Sequence, residues 1–166
     1  MSSSIYVAVP VMLVMAVLQT AVFPRLPILG LVPQLAFLVA LSWGLQRGET
    51  EGALWAFVAG IAVDLFSAGP MGLTALSYVT AVFIASFLIQ RLPQSRLFLP
   101  ALMGGTATFI FLLIYIIGLR ILGYTQNFQA LSALMPYIYL HTGLILPIYW
   151  LIYLLDNSLR PKPIAL

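Results

Sequence analysis

The side chains of this sequence that could do acid–base or nucleophilic chemistry are few and are spread along the chain. Hydrolysis by aspartates needs two carboxyl groups at one site, one acting as base while the other stays protonated. The two aspartates, Asp64 and Asp156, are expected near opposite ends of different helices. Ser67 is close to Asp64, but the one histidine, His141, falls in another apolar segment and no Gly-x-Ser-x-Gly motif is present. We therefore expect that the protein is not an enzyme.

The sequence also offers no recognisable metal or cofactor site. It contains no cysteine, which excludes disulfides, thiolate nucleophiles, iron–sulfur clusters and cysteine-ligated zinc. His141 has no further ligands clustered around it in the sequence, and no phosphate-binding loop is present. We expect neither a metal nor a cofactor, and we expect His141 to be hydrogen-bonded to its neighbours.

The composition indicates a membrane protein. Hydrophobic residues make up 63% of the 166 residues, charged residues only 7%, and the mean hydropathy is +1.10, which leaves too little polar material to cover a water-soluble surface. No Ser-, Gly- or Pro-rich linker divides the chain, so residues 1–166 are predicted to form a single integral membrane domain. The seven basic residues are spread singly, so we expect contact with membrane lipid and not with nucleic acid.

Division of the chain at its charges and at its Pro and Gly residues predicts an all-α bundle of six transmembrane helices. A bilayer core of ~30 Å needs ~20 apolar residues in a helix. The predicted helices are Ile5–Phe23, Ile28–Leu45, Ala53–Phe66, Leu73–Ile89, Leu97–Leu119 and Leu134–Leu155. The third covers only ~21 Å at ~1.5 Å per residue, so we expect the stretch from Asp64 to Gly72 to lie below the membrane surface.

The lysines and arginines predict the orientation of this bundle. One set of connections contains Arg47, Arg91, Arg96, Arg160 and Lys162. The other set contains Arg25 and Arg120. Because the basic side of a membrane protein faces the cytoplasm, both termini are predicted to be cytoplasmic.

Asp64 is costly inside hydrocarbon, by ~2.5–3.5 kcal/mol at a helix centre, and therefore needs a reason to be there. Its carboxylate could bond the backbone of residues 67–72, or it could pair with Arg25 or Arg120. Proton conduction with His141 is a further possibility, but no series of ionisable groups crosses the membrane. We favour the structural role.

The remaining polar side chains are interpreted as isolated groups near helix ends, satisfied by water or a neighbouring helix: Gln19, Thr20, Gln34 and Gln90.

Small residues recur at every fourth position in two of the predicted helices. Such rows let helix backbones approach closely within a membrane. One row comprises Gly52, Ala56 and Gly60 and leads to Asp64, and the other comprises Ala36, Ala40 and Gly44. The rows are used either for packing within the chain or as a docking face for a helix of another protein.

The segment from Val32 to Phe87 resembles the signature region of the MreD family. Its pattern contains, in order, Pro33-Gln34, Gly44, Gly52, Gly60, Asp64-Leu65 and Gly72-Leu73. The resemblance implies a non-enzymatic multi-pass subunit in the bacterial inner membrane that works with MreC. Through MreC it would act with the MreB filament, RodA and the class B penicillin-binding transpeptidase partner of RodA in lateral peptidoglycan synthesis. It also implies an architecture similar to the substrate-binding subunits of energy-coupling-factor transporters.

The same resemblance marks five positions of the family pattern, which physically would pack and shape the third and fourth helices. These are Pro33, Gly52, Gly60, Asp64 and Gly72.

The alternative function is a substrate-binding membrane subunit of a vitamin or small-molecule transporter. Its pocket would lie near Asp64 and His141, because an apolar pocket with few polar groups suits a vitamin-sized ligand.

Overall fold

Helices dominate the described chain, which comprises residues 2–92, 98–124 and 134–159 of a computed structural model. The α-helices are α1 (Ser2–Val17), α2 (Leu35–Arg47), α3 (Glu49–Phe66), α4 (Leu73–Ile89), α5 (Phe98–Ile121) and α6 (Leu134–Leu159). α1 continues into a π-helical turn, Leu18–Val22, and a 3-10 turn, Phe23–Arg25. Within the described ranges the predicted all-α fold with six helices is confirmed.

The exterior of the bundle is suited to lipid. Among the described residues, three stretches are long and apolar enough to cross a membrane: Tyr6–Arg25, Phe98–Ile121 and Leu134–Asn157. α2 and α4 are apolar but shorter, at 13 and 17 residues. Large apolar side chains face outward, and Tyr6, Phe98 and Ile121 are each 70% or more exposed. A surface of this kind is typical of a membrane bundle, whereas membrane crossing by all six helices stays a prediction.

The helices alternate in direction, which gives the bundle two ends. At one end, here termed the Arg47 end, Arg47 pairs with Asp156 near the end of α6, and Gln90 after α4 donates a hydrogen bond to Glu49 at the start of α3. The opposite end is termed the Asp64 end and contains the approach to α2 and the α3–α4 turn. Three of the basic residues that predict the orientation lie outside the described residues: Arg96, Arg160 and Lys162.

α2 is the shortest of the described α-helices and is enclosed by the others. The sequence predicts a start at Ile28, but the helix begins at Leu35 and its 13 residues span only ~20 Å. Pro33 delays the start, because it lacks an N–H group and disfavours helical backbone in the residue before it. Two backbone hydrogen bonds of 2.9 Å join Ile28 and Leu31 in the turn ahead. Residues 36–42 are all buried, as expected for a helix with neighbours all around it.

α3 is longer than the sequence predicts. It begins at Glu49 rather than at Ala53, so its 18 residues span ~27 Å and the premise that this helix is markedly short is wrong. Glu49 and Glu51 lie in its first turn, where the partial positive charge of a helix N-terminus favours carboxylates. The short helix of the bundle is α2. The longer stretch of non-helical backbone therefore lies ahead of α2 and not between Asp64 and Gly72.

Two glycines of α3 lie where helix backbones nearly touch. A Cβ added to Gly60 would be 2.2 Å from Cα of Ala75 on α4, and one added to Gly52 would be 2.5 Å from Cα of Gly44 on α2. Both clashes are with backbone atoms, so the helices themselves would have to separate. The row of small residues on α3 therefore packs against neighbouring helices of the same chain.

We expect Gly60→Ala to destabilise the protein by about 1–3 kcal/mol, because the added methyl group overpacks the contact between α3 and α4. The matched control is Gly143→Ala on α6, where an added Cβ meets no atom of the described residues within 4 Å. Thermal unfolding of both variants in the same detergent measures the difference. Equal melting temperatures would contradict the close approach of α3 to α4.

Candidate functional site

Asp64 lies in the last turn of α3 and is only 3% exposed. Its Oδ2 accepts a hydrogen bond of 2.8 Å from the backbone N–H of Gly72. Gly72 precedes α4 with a φ of +89°, a left-handed conformation that glycine adopts without steric cost. An ion pair of this carboxylate with Arg25 or Arg120, the other possibility raised by the sequence, stays a prediction. Asp64 therefore joins the end of α3 to the start of α4 through the backbone.

Gln34 is the centre of a second polar cluster, at the start of α2. Its Oε1 accepts hydrogen bonds from the Tyr78 hydroxyl, at 2.8 Å, and from the side-chain amide of Gln19. Oε1 of Gln19 in turn accepts from the backbone N–H of Ala36 at 3.2 Å. Since the first N–H groups of a helix have no partner within the helix, Gln19 supplies an acceptor that α2 needs.

His141 on α6 supplies an acceptor for the residue just ahead of α2. Its Nε2 accepts from the backbone N–H of Gln34 at 3.2 Å, so Nε2 carries no proton. The neutral ring must then carry its proton on Nδ1, which lies 3.0 Å from Oγ1 of Thr108. The Thr108 hydroxyl donates its own proton to the carbonyl of Gly104 at 2.7 Å, so its oxygen is free to accept from Nδ1. Every polar atom of this fully buried ring is thus bonded within the bundle.

The backbone on both sides of the cluster brings these groups together. Pro33 is fully buried and places Gln34 immediately ahead of the first turn of α2. The π-helical turn Leu18–Val22 at the end of α1 carries Gln19 into the interior, where it is buried. Irregular backbone at membrane depth is tolerated only where protein or enclosed water satisfies its polar groups, and here the side chains of Gln19 and His141 do so.

The five residues of the sequence pattern do not form one site. Asp64 and Gly72 are directly bonded, and Pro33 adjoins the Gln34 cluster at the same end of the bundle. Gly60 lies further along α3 against α4, and Gly52 lies near the Arg47 end against α2.

The sequence interpretation missed the Gln19–Gln34–His141 cluster, because it treats these residues as isolated groups. One signal could have revealed it. A helix that starts after Pro33 within an apolar chain needs acceptors for its first N–H groups, and Gln19 and His141 are among the few side chains able to supply them.

Arg47 and Asp156 form an ion pair at the other end of α2. Nε of Arg47 donates to Oδ1 of Asp156 at 2.9 Å, and Nη2 contacts the same oxygen. The Asp156 side chain is 3% exposed and that of Arg47 is 34% exposed. Arg47 also lies over the ring of Trp43, with 5.4 Å from Cζ to the ring centroid. Because a buried carboxylate without a cation is costly, Arg47 permits the burial of Asp156.

α6 therefore binds both ends of α2. His141 and Asp156 are ~22 Å apart along α6, and Gln34 and Arg47 are ~20 Å apart along α2, at ~1.5 Å per residue. The matching spacing lets one face of α6 reach the backbone N–H of Gln34, just ahead of α2, and the side chain of Arg47, the last residue of α2. Across the described ranges, no group of three or more His, Cys, Asp or Glu side chains could hold a metal ion.

The fold and the cluster define a class of protein: a helical membrane protein whose buried polar groups fasten helix ends to one another. The family model described as rod shape-determining protein MreD matches residues 2–158. The chain belongs to the MreD family, and it is a membrane protein with a role in rod-shape determination. No curated protein and no solved structure gave a significant match.

We expect Asp64→Leu to release the α3–α4 turn and to cost about 1–3 kcal/mol, because the Gly72 N–H loses its acceptor. Asp64→Asn should retain the turn, since an amide oxygen can accept the same bond. Hydrogen exchange of the Gly72 amide is the direct measurement, and it should be faster only in the leucine variant. Unchanged protection in Asp64→Leu would mean that another group holds this amide.

We expect Arg47→Leu to destabilise the protein by about 2–4 kcal/mol, because it removes the Arg47 guanidinium from the buried Asp156 carboxylate. The double variant Arg47→Leu with Asp156→Leu should recover most of that loss. Unfolding of the two single variants and the double variant in detergent completes a double-mutant cycle. Destabilisations that simply add would show that the pair does not stabilise the fold.

Proposed function

We propose that this protein is a non-catalytic subunit of the bacterial cell-elongation complex, held in the inner membrane as a single multi-pass domain over residues 1–166. It binds MreC and, through MreC, acts with MreB, RodA and the class B penicillin-binding transpeptidase in lateral peptidoglycan synthesis. The observation that carries the proposal is the MreD family match over residues 2–158. The distribution of Lys and Arg supports cytoplasmic termini. We also propose that the architecture of the bundle is similar to that of the substrate-binding subunits of energy-coupling-factor transporters.

The bonding of the buried ionisable groups supports a structural role. Asp64 accepts from a backbone amide, both ring nitrogens of His141 are bonded, and Asp156 is paired with a cation. Asp64 and Asp156 lie at opposite ends of the bundle, so they cannot share a substrate in the way that paired catalytic carboxylates do. We propose that the five family-pattern residues likewise have a structural role and shape the bundle. These are Pro33, Gly52, Gly60, Asp64 and Gly72.

The partner-binding surface is proposed to be an apolar groove between the turn ahead of α2 and the first part of α6. The groove has a volume of about 610 Å³. Its lining includes Leu29, Leu31, Met135, Tyr139, Gly143 and Leu144. The rows of small residues are less suitable for docking, because Gly52 and Gly60 already contact α2 and α4.

A transmembrane helix of MreC fits the chemistry of this groove. Helices associate in membranes by close packing at small residues, because lipid provides no hydrophobic drive between them. Gly143 supplies such a residue, since a Cβ built on it meets no described atom within 4 Å. Tyr139 and Leu29 are 75% and 90% exposed and would become covered by a docked helix.

We expect Gly143→Leu to reduce the MreC that co-purifies with the tagged protein from membranes by about tenfold, equivalent to ~1.4 kcal/mol, because the leucine fills the groove. The matched control is Thr80→Leu, which places the same side chain at a half-buried position on α4 that does not line the groove. Both variants should unfold at the wild-type temperature. Full recovery of MreC with a folded Gly143→Leu variant would exclude this groove, and failure of the wild-type protein to retain MreC would contradict the proposed function itself.

A further inference from the structure

A polar cleft at the Asp64 end is not used by the partner-binding role. It has a volume of about 230 Å³, roughly the liquid volume of seven or eight waters at ~30 Å³ each. It lies where the end of α1, the approach to α2 and the helices α3, α4 and α5 meet. Thr20, Gln34 and Tyr115 contribute polar groups to its walls, and Val32 and Phe111 contribute apolar ones.

Gln34 presents a free hydrogen-bond donor in this cleft. Both lone pairs of its Oε1 are already used by Tyr78 and Gln19. These two donors also fix the orientation of the carboxamide, because its nitrogen cannot accept a hydrogen bond. The two N–H bonds of Gln34 Nε2 have no partner among the described residues, so they are available to an acceptor in the cleft.

Hydroxyl oxygens supply the acceptors. Thr20 donates its proton to the carbonyl of Ala16 at 2.7 Å, which leaves its oxygen able to accept. The hydroxyls of Thr74 and Tyr115 lie on the walls formed by α4 and α5. Donor and acceptor groups therefore face the same small space.

The cleft selects against charged ligands. None of the described lining residues is Lys, Arg, Asp or Glu, so an ion would find no counter-charge. Asp64 adjoins the lining residue Val63, and its Oδ1 is buried without a hydrogen-bond partner in the described chain. When ionised, this carboxylate would repel an anion in the cleft.

The backbone that forms one side of the cleft adopts costly conformations. Thr20 belongs to the π-helical turn Leu18–Val22, a rare structure that is frequently found at functional sites. Such strain persists only where the surrounding structure enforces it.

We propose that this cleft binds an uncharged amide group, carried either by a small aromatic molecule or by a polypeptide. The amide oxygen accepts from Nε2 of Gln34, and the amide N–H donates to the hydroxyl oxygen of Thr20 or Tyr115. The apolar part of the ligand lies along Phe111 and Val32. This site is separate from the groove proposed for MreC, so either site can exist without the other.

The test uses the full chain in lipid nanodiscs with benzamide as the probe, followed by ligand-observed NMR titration. We expect saturable binding of benzamide, and binding about tenfold weaker for benzoate, which has the same shape with a negative charge. Thr20→Leu fills the cleft and should weaken benzamide binding about tenfold. The matched control is Thr106→Leu, which removes an exposed hydroxyl that is likewise bonded to a carbonyl four residues earlier. That variant should bind like the wild type.

A second probe, N-acetylglutaminamide, separates the two sources of the amide. Tighter binding of this capped residue assigns the site to a polypeptide, and tighter binding of benzamide assigns it to a small molecule. Should Thr20→Leu fail to fold, Tyr115→Phe replaces it, with an expected loss of about fivefold for the missing hydroxyl. The proposal is overturned if neither probe binds saturably, if benzoate binds as well as benzamide, or if the cleft variant and Thr106→Leu lose binding equally. The cleft would then hold water alone.

Discussion

A helix that begins inside a membrane bundle must find acceptors for the N–H groups of its first turn, and this fold depends on how α2 meets that requirement. Gln19 and His141 accept from the backbone at Ala36 and Gln34. At the other end, Arg47 is paired with Asp156. These bonds hold both ends of the enclosed helix, and α3, α4 and α6 pack around it.

Close backbone contacts at glycine residues stabilise the bundle together with the polar hydrogen bonds. Hydrogen bonds specify which residues of neighbouring helices lie opposite each other, and glycines specify how near the axes come. Gly44 and Gly52 bring α2 against α3, and Gly60 brings α3 against α4. At the Asp64 end the side chains are longer and polar, so the helices are held apart and the cleft near Gln34 remains open. The same helices are thus tightly packed at their glycine contacts and separated by a cleft near Gln34.

Much of this fold was accessible from the sequence, and the parts that were not have a physical cause. Apolar runs and Pro or Gly interruptions predict six helices, but hydropathy cannot separate a helix from an apolar turn, so residues 28–34 were assigned to α2. The predicted third helix starts at Ala53 and so omits Glu49, although helix N-termini favour carboxylates. The Asp64–Gly72 bond joins residues close in sequence and was foreseeable as a backbone contact. The Gln34–His141 bond joins residues 107 apart, and nothing local predicts it.

The position of α6 in the chain has a consequence for biosynthesis. His141 and Asp156 are made more than a hundred residues after the groups of α2 that they bind. Until α6 is synthesised, the backbone amide of Gln34 and the side chain of Arg47 lack their partners on that helix. The arrival of α6 therefore adds the contacts that fasten both ends of α2. A product that ends before His141 would lack both residues, and α2 would lose a contact at each of its ends.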